Sequence, residues 1–159
     1  MQEQYKNLPL RNGVGIILLN KENKVFVAKR IDNPKNFWQM PQGGVDKDED
    51  PLTAAFRELK EETSIKKVEL IKEIDGKTTY ELPNNLLGII WKGKYRGQKQ
   101  KWFIMQFLGK VEEINIKTNY PEFLDWKWIN PSELPNVAVN FKVGIYKKIM
   151  QELAFIKQN

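Results

Sequence analysis

At 159 residues, 41% of them hydrophobic and 29% charged, the chain has the size and balance of one globular domain (1–159), and a disordered or fibrous polymer is excluded. It contains no cysteine and no histidine, which removes disulfide frameworks, thiolate zinc sites, cysteine nucleophiles, Ser-His-Asp triads and imidazole-held metals together. Any catalysis must run on carboxylates, Lys, Tyr or Arg, any metal must be held by oxygen, and a net charge of +6 suits a polyanionic partner such as nucleotide phosphates or RNA.

The opening "MQEQYKNLPLRN" lacks a basic segment followed by an apolar one, and no run approaches the roughly 18 apolar residues of a membrane span. A soluble, cytoplasmic protein with no membrane partner is expected. "GVGIILLN" (13–20) and "KVFVAKR" (24–30) read as strands joined by a connection of hairpin length. "IDNPKN" reads as a loop, and "FWQMPQGG" (37–44) as a short extended piece ending in a glycine turn.

The clearest helix follows. Asp50 suits the N-cap and Pro51 the first helical position, and Leu52, Ala55, Phe56 and Leu59 form one stripe expected to be buried. Further strands are expected over 67–75, 77–83, 86–95, 101–111 and 125–129, with a helical turn at "NPSEL" (130–134). An amphipathic helix over 139–156, apolar at positions 145, 149, 153 and 156, closes the chain. Many strands with a mid-chain and a terminal helix make an α+β domain with a mixed sheet between helices.

On the first helix, Glu58, Glu61 and Glu62 fall within an arc of about 100°, beside the apolar stripe. Glu58 and Glu62, one turn apart, repel. Lys60 and Arg57 are expected to point elsewhere and to offset that repulsion only in part. A hard divalent cation such as Mg²⁺, which takes carboxylate oxygens and keeps waters that a phosphate can displace, would offset it fully. The double glycine of "QGGVDKDE" just upstream lets backbone approach a ligand or an ion closely.

Gly43, five residues, Glu49, seven residues, then Arg57-Glu58-Leu59-x-Glu61-Glu62-x-Ser64-Ile65 resembles the Nudix box, G-x5-E-x7-R-E-U-x-E-E-x-G-U with U aliphatic. Only Ser64 departs, standing where the box has glycine. The resemblance implies a Nudix α/β/α sandwich and hydrolysis of a nucleoside diphosphate linked to another group, dependent on Mg²⁺ (Mn²⁺ or another divalent cation being possible). It implies Glu58, Glu61 and Glu62 as metal ligands with Gly43 beside them, Glu58 as candidate base, Arg57 as the orienter of a glutamate, and Glu49 as support for the loop or metal shell.

"FWQMPQGG", "GQKQKWF" (97–103) and "YPEFLDWKWI" (120–129) are similar to one subgroup, the RNA pyrophosphohydrolases and the asymmetric diadenosine tetraphosphate hydrolases. That likeness implies Glu122 as a fourth carboxylate at the metal. It also implies Arg11, Arg30, Lys99 and Lys101 at the phosphates or RNA backbone, and Phe141, Val139 and Tyr80 at a base. The expected reaction removes pyrophosphate from a 5′-triphosphorylated RNA, leaving a 5′-monophosphate that exposes the transcript to decay. Diadenosine tetraphosphate cleavage is the alternative in the same chemistry. A non-catalytic RNA- or nucleotide-binding module is the alternative outside it. No DNA specificity is expected.

Overall fold

Runs such as "GIILL" carry apolar side chains at successive positions, a pattern suited to a strand buried on both faces. The computed structural model, which describes residues 3–32 and 35–157, places that strand at the centre of a mixed sheet. The strands are β1 (Leu10–Leu19), β2 (Val25–Arg30), β3 (Gln42–Gly44), β4 (Val68–Glu73), β5 (Thr78–Glu81), β6 (Gly97–Phe107) and β7 (Phe123–Ile129). Their order is β4-β6-β1-β2-β7, with β3 also paired to β1 and β5 to β6. β1 runs parallel to β6 along its length, from Leu10↔Gly97 to Leu19↔Gln106, and the other pairings are antiparallel. Asn33 and Pro34 of the expected "IDNPKN" loop lie outside the described residues.

Helix α1 (Pro51–Thr63) covers one face of the sheet and α3 (Val143–Lys157) the other; the four-residue α2 (Leu134–Val137) precedes α3. Val14, Ile16 and Leu18 point to α1 and meet Ala54, Ala55 and Leu59. Ile17 and Leu19 point the other way, to Tyr146, Ile149 and Leu153. These side chains are almost wholly buried, and the Val, Ile and Leu among them contribute roughly 1.5–3 kcal/mol each. The α/β/α sandwich expected from the box is the fold.

Four expectations change. Residues 86–95 are not a strand: a turn leads into a 3-10 segment, Ile90–Gly93. Gly88, Trp91, Lys92 and Gly93 all take positive φ, which no extended strand allows. The apolar residues there instead fill a small cluster around Tyr80, Leu82 and Leu87. Phe56 is 38% exposed, and Ala54 takes its place in the stripe. Gly43 and Gly44 are not a turn but β3, paired with Val14 and Gly13. The last helix begins at Val143, after a 3-10 turn over Asn140–Lys142; the side chain of Ile156 lies outside the described residues.

β1 is registered with β2 at Leu19↔Val25 and with β3 at Gly13–Gly15, so β2 and β3 diverge along it. The chain over 37–41 fills the wedge, with Ile16 N donating to Pro41 O at 2.9 Å and Ala28 bridged to Gln39. This divergence brings the double glycine under α1.

Candidate active site

Helix α1 is set at both ends by its sequence. Asp50 accepts from the backbone N–H groups of Leu52 (3.1 Å) and Thr53 (3.3 Å), with Pro51 in the first turn. At the far end Ser64 takes φ 67, ψ 7, and its N–H donates to Lys60 O. The Ser64 hydroxyl donates to Asn115 O at 2.9 Å, and Asn115 N donates back to Thr63 O at 2.9 Å. The departure from glycine in the box is thus tied to the 114–118 loop.

Because Ala55 and Leu59 seat α1 on the sheet, Glu62 goes in with them and is 4% exposed. Neither of its carboxylate oxygens has a hydrogen-bond donor. The Glu58 carboxyl lies beside it and can donate only when one of the two is protonated. Burial, then the charges of Glu122 and Glu58, hold Glu62 well above the ordinary carboxylate range. Glu58, its side chain 14% exposed, is also raised by burial, with Arg57 opposing. A Cβ on Gly43 would run into the Glu58 carboxylate, so glycine is needed there for close approach.

Arg57 does not point away. Its fork donates to Glu49 twice (2.8 and 2.9 Å), to Gly44 O (2.9 Å), to Glu58 (3.0 Å) and to Glu61 (3.1 Å). The Arg57 guanidinium and the Asp46 N–H together hold Glu49 down at about 2. One cation therefore gathers the 46–49 loop, β3 and α1. Helical angles place Arg57 about 40° from Glu61 and about 100° from Glu58, and its long side chain bends to both.

The three box glutamates are not equivalent. Glu62 is buried, Glu58 nearly so, and the Glu61 side chain is 58% exposed on the far side of Arg57. Glu122 comes from the loop before β7 and faces Arg30 at 3.8 Å. Among the described residues no three carboxylates converge closely enough to hold an ion, since Arg57 takes Glu58 and Glu61. The donor set still fits a hard cation: oxygen only, with Glu62 buried and lacking any donor.

Through the sheet from Glu58, a polar floor lies on the α3 side. Arg11 donates to Gln98 Oε1 (2.9 Å), lies 5.1 Å over the Trp91 ring, and fills the space a Cβ on Gly44 would need. Gln98 also donates to the Tyr80 hydroxyl (3.1 Å), and Gln100 donates to Gln42 (2.9 Å). Lys142 donates to the same Gln42 oxygen (3.3 Å) and lies over the rings of Tyr80 and Phe141. Only 7% exposed, Lys142 is lowered to about 7 by burial, with Arg30 adding and Glu62 opposing. Among the described residues neither Arg11 nor Lys142 has a carboxylate within ion-pair distance.

The four cations expected at the phosphates are not gathered. Arg11 stands on the polar floor, while Arg30 is clasped by Asp32 (2.8 and 2.9 Å). Lys99 and Lys101 alternate with Gln98 and Gln100 and so face the α1 side with Phe103; Lys101 turns to Glu73 (3.6 Å). The expected base residues also divide. Val139 and Arg30 line a cavity of about 30 Å³ with Trp38 and Lys142, while Tyr80 and Phe141 line a groove of about 340 Å³. Sequence reading missed Lys142, Gln42, Gln98 and Gln100. The signal for the glutamines was present, because alternation in "GQKQKWF" puts them on the face of Trp102 and away from the lysines.

An antiparallel glycine strand pressed against a carboxylate-bearing helix, inside this sandwich, defines a Nudix domain, and the chain belongs to the Nudix family: its residues 9–152 match the NUDIX domain. The chain is 69% identical over 153 residues to the RNA pyrophosphohydrolase of Pelagibacter ubique, covering 96% of this chain and 97% of that one. It is 43% identical to the RNA pyrophosphohydrolase of Orientia tsutsugamushi (strain Boryong), covering 94% and 93%. Among solved structures, the E. coli dihydroneopterin triphosphate pyrophosphohydrolase superposes with a TM-score of 0.71 at 20% identity, covering 91% of this chain and 99% of that one. A C. elegans Ap4A hydrolase binary complex superposes at 0.62 and 20% identity, covering 89% and 98%. These two likenesses concern the fold. Among the described residues no helix is long and apolar enough to cross a membrane.

Proposed function

We propose that the chain is an RNA pyrophosphohydrolase that removes pyrophosphate from a 5′-triphosphorylated RNA and leaves a 5′-monophosphate. The reading rests on one juxtaposition: Glu62, buried without a donor, beside Glu58 on one side of β3, and on the other half-buried Arg11 and buried Lys142, neither with a carboxylate partner among the described residues. The similarity to relatives named RNA pyrophosphohydrolase supports RNA as the substrate class. The cytoplasm is the compartment that fits this substrate.

Glu58, Glu61, Glu62, Glu122 and the Gly43 carbonyl would hold Mg²⁺ or another divalent cation. When bound, such a cation supplies Lewis-acid polarisation of the phosphate oxygens and charge neutralisation. Glu58 is the base: burial lifts its affinity for a proton toward neutral pH, as taking a proton from water requires. Arg57 aims the Glu58 carboxylate and keeps Glu61 from drifting to solvent. Arg11 and Lys142 bind the phosphate chain, each attracted to it because no acid compensates its charge. Gln98 and Gln42 hold those two cations in place.

A side-by-side assay with Mg²⁺ of 5′-triphosphorylated RNA, diadenosine tetraphosphate and mononucleoside triphosphates tests the reading. Release of pyrophosphate from the RNA is expected; turnover of the dinucleotide alone would overturn it. Glu61→Gln is expected to lose turnover and keep ligand binding, whereas a binding module has no turnover to lose.

A further inference from the structure

β4 is the last strand at one edge of the sheet, and five of its six residues are exposed. Leu70 and Ile71, at its middle, are 37% and 42% exposed, and among the described residues no further strand pairs with this edge. An unpaired apolar edge is a template for another strand. Around Leu70 and Ile71 a charge falls at every third position, Lys66, Glu69, Lys72 and Asp75, positive and negative by turns. Lys67 and Glu73 are taken by Glu113 (3.2 Å) and Lys101 (3.6 Å), whereas among the described residues the other four have no ion-pair partner.

Hydrogen bonding fixes which way this edge faces. Lys67 O accepts from Leu108 N (2.8 Å) and Ile74 N donates to Trp102 O (2.9 Å), so the backbone of both residues faces β6. Alternation then turns the backbone of Val68 and Glu73 outward. On a regular strand the odd separation of Lys67 and Ile74 would turn one of them away; the bulge at Ile71, between the pairings of Leu70 and Lys72, supplies the extra residue. Val68 and Glu73 lie equally far from the Leu70–Ile71 bond, so a second β4 laid antiparallel meets this one as Val68↔Glu73. The same register sets Glu69 opposite Lys72, Lys66 opposite Asp75, and Leu70 opposite Ile71. Glu69 and Lys72 pair with Gln106 and Ile104 of β6 and so share the α3 face, as directly opposed residues must.

We propose that β4 is a self-complementary edge through which two copies of this chain pair antiparallel about a two-fold axis, continuing the sheet from one copy into the other. No like charges face each other in this register, and each opposite pair occurs twice by symmetry. A guard of lysines alone would meet its copy like to like. β7, with Glu122 ahead of it, forms the other edge, so the carboxylate site of each copy stays open. A single strand pair is smaller than the standard interface of about 800 Å² per partner, so the dimer forms reversibly, as concentration rises.

Sedimentation velocity of the full chain, at concentrations up to about 1 mM, tests the pairing. Wild type is expected to pass from monomer to dimer. Glu69→Lys and Lys72→Glu each set like charges in opposition twice, and each should weaken the dimer about tenfold or more. Lys72→Glu also lowers the net positive charge, which by itself would favour association, so weakening there reports the register. An equimolar mixture of the two single variants restores opposite charges across the pair and should dimerise as wild type does. So should the double exchange Glu69→Lys/Lys72→Glu. Recovery in the mixture is a result that a folding defect in either variant could not give. The pairing is overturned if wild type stays monomeric over the whole range, as it would if the edge served a strand of another protein. It is overturned equally if the single variants dimerise like wild type, or if their mixture does not recover.

Discussion

Glu62→Gln tests whether the buried acid is held for a cation at a cost to the fold. In the folded protein the Glu62 carboxylate is 4% exposed, has no donor, and faces the charges of Glu122 and Glu58. A buried polar group left without a partner costs roughly 1–3 kcal/mol, more when charged. Glutamine removes the charge, and its amide can donate to the neighbouring Glu58 carboxylate. Without metal at pH 8, Glu62→Gln is therefore expected to be more stable by about 1–3 kcal/mol, roughly 2–4 °C in Tm for each kcal/mol at this size. The pH dependence has a definite sign. The folded pKa lies above the unfolded value of 4.5, so the folded state binds more protons between the two. Wild-type stability thus falls as pH rises through that window, and the advantage of the variant should shrink toward nothing at pH 4.5. Added Mg²⁺ should reverse the ranking, since a ligand at a hundred times its Kd adds about 2.7 kcal/mol to the form that binds it. Urea unfolding at both pH values, with EDTA and with Mg²⁺, reads all of this. A variant no more stable than wild type at pH 8 in EDTA, or one stabilised equally by Mg²⁺, would refute the reasoning.

Three further outcomes are expected. Arg57→Lys cannot reproduce the forked contacts to Glu49, Gly44, Glu58 and Glu61, so kcat should fall on the order of 10- to 100-fold. In that variant the stability which wild type loses as pH falls from 4.5 toward 2, through Glu49, should largely disappear from an acid titration. Ser64→Gly relieves a left-handed serine costing on the order of 1 kcal/mol but forfeits the bond to Asn115 O, worth about 0.5–1.5, so denaturation should find it within about 0.5 kcal/mol of wild type. Ser64→Ala keeps the strain and loses the bond, and should be the least stable of the three. Lys142→Met should be more stable than wild type at pH 6. That advantage should narrow between pH 7 and 10.5, where the folded protein binds fewer protons than the unfolded chain, and RNA binding should weaken throughout.

The start of helix α1 and its run of glutamates were legible because their signals are local, whereas the exposure of Phe56 and the reach of Arg57 were not. The Asp50 cap, Pro51 and the glutamate spacing all act within a few residues of chain. The missed loop at 86–95 shows the limit of such signals. A short apolar run reads alike as a strand or as a folded turn, and long-range packing around Tyr80 and Leu87 decided between them.

Composition alone, with no histidine and no cysteine, left any chemistry here to carboxylates, Lys, Tyr or Arg and any metal to oxygen ligands, and spacing put three carboxylates on one helix. Which of them is buried, which is tied to Arg57, and which cations stand opposite were decided by the tertiary structure. A helical wheel gives the direction of each side chain but not what lies along it. Here that is a glycine strand pressed against Glu58, and behind it a floor built from β6 by parallel pairing with β1, which carries Gln98 and Gln100 to the site and turns Lys99 and Lys101 away.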